Sequence, residues 1–351
     1  ADAGISTDHE SFKYEEAREK LEAGMLIAIR EGSAAKNFDE LVDLLGNYPG
    51  RCMFCSDDKH PDSLLEGHIN DLVRRALDRA LDLMEVLRAA CVTPVRHYDL
   101  DVGLLQVGDP ADLIEINGFD EMQVLRTFID GELVAENGES RIERVDAEEP
   151  NRFNASPIVP SDIAVEAAGN RMRVIEAIDG QLVTREQLAA PAIDNGQATP
   201  DTDRDILKLV VVNRYEKAPP AVAFITGFEL TKGALASSVA HDSHNIVAVG
   251  ASDREICRAI NAVVEHGGGL SLARENHTEV LPLPVAGLMS TASGANVADK
   301  YTRLDQLARE SLGSTLGSPY MTLSFMALLV IPQLKLSDRR LFDGEVFQFV
   351  P

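Results

Sequence analysis

Histidines and carboxylates fall in two places where their spacing allows chemistry. The segment Ser237–Ile246 (Ser-Ser-Val-Ala-His-Asp-Ser-His-Asn-Ile) crowds two histidines, an aspartate, an asparagine and three serines between two apolar runs. Polar groups this dense between strands are either solvated at a turn or partnered in a site, because burying them unpaired is costly. His241, Asp242 and His244 have a spacing that brings two imidazoles within reach of one ion. They equally suit a tight polar turn in which Asp242 and Asn245 bond the backbone, as a structural element or the lid of a site. The second place is His9, flanked by Asp8 and Glu10, together with Asp57 and its neighbour Asp58, which follow the apolar run Arg51–Ser56. Ligands at the ends of parallel strands converge on one edge, and an imidazole and a carboxylate suit Mn, Fe or Zn. A solvated His9, beside carboxylates by chance in an acidic chain, is the alternative that the residues leave open.

Other candidates read more plainly. Arg30-Glu31-Gly32-Ser33 ends a strand near the same edge and reads from its residues as a strand-end turn. His60 and His68 read as loop residues or rim of that site, and His97 as structural. Gly267-Gly268-Gly269 is expected to stop a helix, since no Lys-Ser/Thr follows and the helix precedes it. Cys52-Met-Phe-Cys55 has knuckle spacing, but residues three apart on a strand point to opposite faces. With no second pair to complete a zinc site, two packed, inert thiols are expected.

The elements that position these residues follow from periodicity. Residues 1–92 alternate helix and strand: helical Tyr14–Gly24, apolar Met25–Ile29, helical Phe38–Leu45, the strand around Cys52–Cys55, and a long amphipathic stretch Gly67–Ala90. Such alternation implies parallel strands with crossover helices. It amounts to two or three units, whereas a complete eight-stranded barrel takes about 250 residues. Residues 93–150 read as short strands: a pair around the Gly108-Asp109-Pro110 turn within Leu104–Ile116, and a hairpin in which Val124–Phe128 and Glu132–Val134 flank Ile129-Asp130-Gly131. Residues 145–165 suit a linker. From 151 onward, β-rich runs (Met172–Ala177, Leu207–Val212, Ala221–Ile225, Asn245–Val249) accompany helices at Ser252–Glu265 and Thr302–Leu312. A buried strand is expected at Phe325–Ile331 and a terminal one at Glu345–Val350. The result is α/β followed by α+β, with a mostly antiparallel sheet in the last domain.

A chain of 351 residues with 45% hydrophobic content is large enough for two or three folded domains. The net charge of −24, from 57 acidic against 33 basic residues, repels phosphate backbones, so nucleic acid is excluded as a partner. Arginine outnumbers lysine, and an acidic, lysine-poor surface fits high internal salt as well as an ordinary acidic enzyme. Four cysteines are too few for a disulfide scaffold, which points to a reducing, cytoplasmic setting. No apolar stretch approaches the roughly 20 residues that span a bilayer. The start, Ala-Asp-Ala-Gly, is neither a signal peptide nor an initiator Met, so a processed or truncated chain is expected.

Four segments, in order, resemble signatures of the adenine deaminase family within the amidohydrolases: Gly4-Ile-Ser-Thr-Asp-His-Glu10, Arg30-Glu-Gly-Ser-Ala-Ala35, Ser237–Ile246, and Leu281-Pro-Leu-Pro-Val-Ala-Gly-Leu-Met-Ser290. The resemblance implies the C-terminal part of a metal-dependent (β/α) barrel over 1–92, a small β-sandwich over 93–150 with a Gly-Asp-x-Ala-Asp-Leu turn at Gly108–Leu113, and an α+β domain over 151–351. It implies that His9 matches a histidine ligand on the sixth barrel strand. Asp57, or its neighbour Asp58, matches the aspartate on the eighth that touches the metal and relays protons. Glu10, Asp58, Arg30, Glu31, His241, Asp242 and His244 become rim or lid. The implied cofactor is Mn2+, or Fe2+ or Zn2+. The implied reaction is hydrolytic deamination of adenine to hypoxanthine and ammonia, by a hydroxide generated at the metal.

One departure stands out. The family's first strand carries a His-x-His pair, which occurs nowhere here, and only eight residues precede His9. A catalytic metal takes about three protein ligands, so activity is expected to need an N-terminal segment. That segment or a second copy is the expected partner. The rival readings are a non-catalytic binding or assembly module, and an amidohydrolase acting on another cyclic amidine or amide.

Overall fold

The computed structural model describes residues 3–33 and 35–350. Their contacts divide into two compact units that meet between Val145 and Asp146.

In the first unit, β1 (Thr7–Asp8), β2 (Leu26–Arg30) and β3 (Cys52–Cys55) form a sheet in that order. Both pairings are parallel, with Asp8 beside Ile27 and Arg30 beside Cys55. Parallel neighbours need crossovers. α1 (Tyr14–Glu22) supplies the first, and α2 (Phe38–Leu41) with α3 (Leu44–Asn47) the second. The α1 residues Ala17 and Leu21, four apart on one face, are buried. Ile27, Ile29, Cys52 and Phe54 pack against Phe38, Leu41 and Leu72. Side chains alternate along a strand, so Arg30, next to Ile29, points to the sheet's other face.

The amphipathic stretch 67–90 is not one helix. After α4 (Pro61–Glu66) come α5 (Ile69–Asp78), α6 (Leu83–Leu87), a π-helical turn (Arg88–Val92) and α7 (Thr93–Tyr98). The break lies at Ala80, whose φ is +60°. Asp82 restarts the helix by accepting the N–H groups of Met84 and Glu85 at 2.9 and 3.1 Å.

β4 (Leu113–Ile116), β5 (Val124–Ile129), β6 (Glu132–Glu136) and β7 (Glu139–Ser140) make an antiparallel meander. The expected hairpin turns at Asp130-Gly131, both at positive φ. The strand expected just after Leu104 is absent. Asp109 accepts the N–H groups of Leu104 and Gln106, and Asp112 that of Gly103, which ties this backbone into turns.

In the second unit the strands are β8 (Val165–Glu166), β9 (Met172–Ala177), β10 (Thr184–Ala189), β11 (Ala192–Asp194), β12 (Gln197–Thr199), β13 (Leu207–Val212), β14 (Ala221–Thr226), β15 (Ala234–Ser237), β16 (Ile246–Gly250), β17 (Gly269–Arg274), β18 (His277–Pro282), β19 (Leu334–Leu336), β20 (Leu341–Asp343) and β21 (Gln348–Phe349). An eight-stranded sheet runs β10-β9-β14-β13-β16-β15-β17-β18. Only the β14–β9 pair is parallel. β11-β12-β8 and β19-β20-β21 are small sheets.

α8 (Asp253–Glu265) starts at Ser252, whose hydroxyl accepts the Glu255 N–H. Its residues Ile256, Ala259, Ile260 and Val263 pack on Val210, Ala236 and Ala248. α9 (Gly294–Glu310) begins earlier than expected, capped by Ser293. The buried strand expected at Phe325–Ile331 is instead the end of α10 (Pro319–Phe325) and the turns after it. Met326, Ala327 and Leu328 are buried there. A short apolar run does not separate strand from buried helix, and Pro319 at the first helical turn is the start signal. Of Glu345–Val350, only Gln348 and Phe349 pair as a strand. Among the described residues no helix is long and apolar enough to cross a membrane.

Candidate functional site

The parallel register brings the exits of β1, β2 and β3 to one edge, and there four side chains form a continuous chain. His9 Nε2 lies 3.1 Å from Glu10 Oε1. Arg30 donates through Nη1 and Nη2 to Glu10 Oε1 and Oε2, both at 3.1 Å. Arg30 Nη1 also donates to Asp57 Oδ2 at 2.6 Å. The Arg30 side chain is 3% exposed, against 59% for Glu10 and 36% for Asp57. Burial works against its charge, but Glu10 and then Asp57 outweigh burial, so its pKa stands above the ordinary guanidinium value. Asp57 sits at φ +46°, a left-handed conformation that aspartate tolerates better than most residues.

The neighbouring candidates are used differently. Asp8 accepts from the Ser11 hydroxyl at 2.6 Å and pairs with Lys20 at 3.1 Å. Burial raises its pKa, but Ser11 and Lys20 outweigh burial and hold the carboxyl below its usual range. Glu31 pairs with Arg75 at 3.0 Å, away from Asp57. Asp58 turns back to accept the Ser33 N–H at 3.1 Å. This needs Gly32, because a Cβ there would lie 1.6 Å from Asp58 Oδ1. Ala34, inside the same signature, lies outside the described residues. His60 donates its backbone N–H to Ser33 Oγ, and His68 Nε2 lies 3.0 Å from Ser56 Oγ. His97 Nε2 meets Thr7 Oγ1 at 2.9 Å, a structural contact. Burial pushes the Cys52 and Cys55 thiols up to about 12 and about 11, so neither is a thiolate at neutral pH.

Asn37 is the residue that the sequence concealed. It stands where a helix cap would, just before α2, yet makes no capping bond. Its carboxamide accepts the Arg30 N–H at 2.6 Å and donates to the Ser11 and His9 carbonyls at 2.9 and 3.3 Å. At 3% exposed, it spends its hydrogen bonds tying the β1 exit to the end of β2.

Among the described residues no three His, Cys, Asp or Glu side chains assemble into a metal donor set. His9 and Asp57 have the right donor chemistry, but they are two where about three are needed.

In the second unit, the polar segment after β15 is a turn. The His241 ring stacks on Phe325, with centroids 4.7 Å apart and planes at 6°. The His241 and His244 N–H groups donate to the Ser324 and Ala240 carbonyls. The two imidazole centroids stand 6.3 Å apart and Asp242 Oδ1 lies 3.8 Å from His241 Nδ1, but no metal donor set forms here among the described residues either. Burial, then His241 and Arg214, pull the His244 pKa below its usual value. Beneath the turn, Arg214 is buried and donates to the Ala286 carbonyl at 2.6 Å and the Tyr215 hydroxyl at 3.0 Å. Tyr215 donates to the Ser243 carbonyl. Ser238 accepts the Gly269 N–H and donates to the Gly287 carbonyl at 2.6 Å. A Cβ on Gly287 would lie 1.9 Å from Arg214 Nη1. The signatures around His241 and around Gly287 are thus bonded into one structure. Gly267–Gly269 ends α8 and opens β17, as a helix stop.

Residues 5–134 match the model of the amidohydrolase family, a class of hydrolases. Residues 181–348 match the adenine deaminase C-terminal domain. The chain is 61% identical over its whole length to adenine deaminase of Salinibacter ruber, covering 64% of that protein. It is 51% identical to those of Sulfurovum sp. and Methanosarcina barkeri, over 99% of this chain and 64% and 65% of theirs. Over nearly its whole length the chain is thus similar to curated adenine deaminases, and it spans just under two thirds of the length of these relatives.

Proposed function

We propose that this chain is the part of an adenine deaminase that carries one side of the metal site and the C-terminal domain, acting in hydrolysis of adenine to hypoxanthine and ammonia. The observation that carries the reading is the His9–Glu10–Arg30–Asp57 chain at the exits of three parallel strands, in a sequence 61% identical to an adenine deaminase over its full length. The three strands would be part of a (β/α) barrel over 1–92. The meander would be one layer of a small β-sandwich over 93–150, and residues 151–351 the terminal α+β domain.

His9 and Asp57 would hold a divalent metal, Mn2+ or else Fe2+ or Zn2+. Such an ion, when bound, lowers the pKa of water toward neutrality. Asp57 has one oxygen, Oδ1, that carries no hydrogen bond from the described protein. It accepts a proton from the attacking water and passes it to the departing amine. Oxygen replaces the C6 amino group, and ammonia leaves. Glu10 orients His9, Arg30 holds both carboxylates, and Asp58 with Gly32 shapes the adjoining turn. His241, Asp242 and His244 would serve as a lid element. A cytoplasmic setting and a homo-oligomer fit this reading.

The test compares this chain with a polypeptide extended to the relatives' full length, for metal content and adenine turnover. The extended protein should bind metal and release ammonia from adenine, and this chain alone should do both poorly or not at all. Robust turnover by the 351-residue chain alone would overturn the two-ligand argument. Failure of the extended protein to act on adenine, with activity on another cyclic amidine, would overturn the substrate.

A further inference from the structure

We propose that Arg30 is a positioning residue of this site. It grips Asp57 by one carboxylate oxygen and Glu10 by both, and so fixes which Asp57 oxygen faces the reacting atoms. The inference rests on the reading of Asp57 as proton carrier and ligand.

Three observations carry it. First, a guanidinium side chain 3% exposed is placed between two carboxylates that are themselves partly exposed. Desolvating a cation costs several kcal/mol, and a well-packed apolar side chain is often as good or better for stability. Stability alone therefore does not account for an arginine here. Second, the contacts are specific. Both terminal nitrogens meet Glu10 in a two-pronged contact, and Nη1 alone reaches Asp57 Oδ2. Only a planar fork makes this arrangement, and an ammonium does not. Third, the fork has a fixed base. Asn37 takes the Arg30 N–H at 2.6 Å, returns its own N–H to the Arg30 carbonyl at 2.9 Å, and bonds the carbonyls of His9 and Ser11. The Phe12 ring lies 5.6 Å from the guanidinium carbon. Arg30 therefore reports the position of the β1 exit, which bears His9, to the β3 exit, which bears Asp57. A misplacement of about 1 Å in a reacting group costs on the order of 100-fold in rate, which sets the expected effect of removing the grip.

The experiment uses the polypeptide extended to the relatives' full length, with Arg30→Lys, Arg30→Met, Glu10→Gln and, as control, Asp57→Asn. Metal content by elemental analysis, and kcat and KM for adenine, are measured on each. Arg30→Lys and Arg30→Met should keep their metal and a KM within about threefold of the parent, while kcat falls about 100-fold. Lysine should not rescue. Glu10→Gln, an isosteric change at a partly exposed side chain, frees one prong and should lower kcat about 10-fold, and it reads the proposal even if an Arg30 variant fails to fold. Parental kcat in Arg30→Lys or in Glu10→Gln would overturn the proposal. So would loss of metal in step with activity in the Arg30 variants, because Arg30 would then only support the binding site. Asp57→Asn separates the two ideas: if it turns over normally, the role of Asp57 falls, whatever Arg30 does.

Discussion

Replacing Lys335 with methionine should stabilise the second unit at neutral pH and remove a pH dependence. Lys335 lies in β19 between Leu334 and Leu336, with 0% of its surface exposed. Its Nζ donates to the Leu182 carbonyl at 2.7 Å and makes no ion pair among the described residues. Burial pushes its pKa down from 10.5 to about 7. The unfolded chain therefore binds this proton more tightly than the folded one between pH 7 and 10.5. Stability is full above that window, falls as pH drops through it, and levels off below pH 7. The slope inside the window is about 1.4 kcal/mol per pH unit, and rounding near pH 7 leaves a loss of about 2 kcal/mol between pH 9 and pH 7. At pH 7 the whole penalty is about 4 kcal/mol. Methionine fills similar space without the amine, but leaves the Leu182 carbonyl unpaired at a cost of about 1–3 kcal/mol. The net gain at pH 7 is about 2 kcal/mol, shrinking to about zero by pH 9. Urea unfolding of both proteins at pH 7, 8 and 9, followed by circular dichroism, measures this difference directly. A stability difference that stays constant from pH 7 to pH 9 would refute the argument, because every other titrating group is common to the two proteins.

Three further outcomes are expected. In the extended protein, Asp57→Asn keeps the shape but removes the carboxylate, so adenine deamination should fall about 1,000-fold while the melting temperature moves only a few degrees; a kinetic assay with a thermal melt checks both. Gly32→Ala puts a Cβ 1.6 Å from Asp58 Oδ1, so Asp58 must swing off the Ser33 N–H and stability should drop by about 2 kcal/mol in urea titrations. With a net charge of −24, the melting temperature should rise from low to molar KCl as screening weakens repulsion among carboxylates; a flat or falling trend would remove the high-salt reading.

The apolar strands were legible because they combine β-branched residues with sharp polar borders. Met172–Ala177 and Leu207–Val212 form strands with the bounds their composition implied. The hairpin at Asp130-Gly131 was equally legible, since its turn demands positive φ. Where the reading failed, local capping was responsible. Asp82 split one amphipathic stretch into two helices, Asp109 and Asp112 dissolved a strand, and Pro319 turned an apolar run toward helix. The candidate site was legible as residue types and strand ends. Its wiring was not. Nothing in the sequence says that Asn37 turns from the helix it precedes toward Arg30, or that Arg30 stands between Glu10 and Asp57. Such contacts join residues 7 to 28 positions apart, and they depend on parallel register rather than on any local pattern.

The bonds that join β10 to the C-terminal segment bear on how the second unit forms during synthesis. Thr184 donates its N–H to the Pro332 carbonyl and its hydroxyl to the Leu334 carbonyl, and Lys335 reaches Leu182 across 153 positions. β10 is an end strand of the eight-stranded sheet. At translation rates of about 5–20 residues per second, some 8–30 s pass between the emergence of Thr184 and that of its partners. Through that interval the β10 side of the sheet is without this cover and open to pairing with a neighbouring chain. The three parallel strands β1, β2 and β3 have all emerged by Cys55 and face no such wait. A ribosome stalled before Pro332 would thus hold β1, β2 and β3 already paired and the antiparallel sheet unguarded, and chaperone capture of the nascent chain should concentrate on the second.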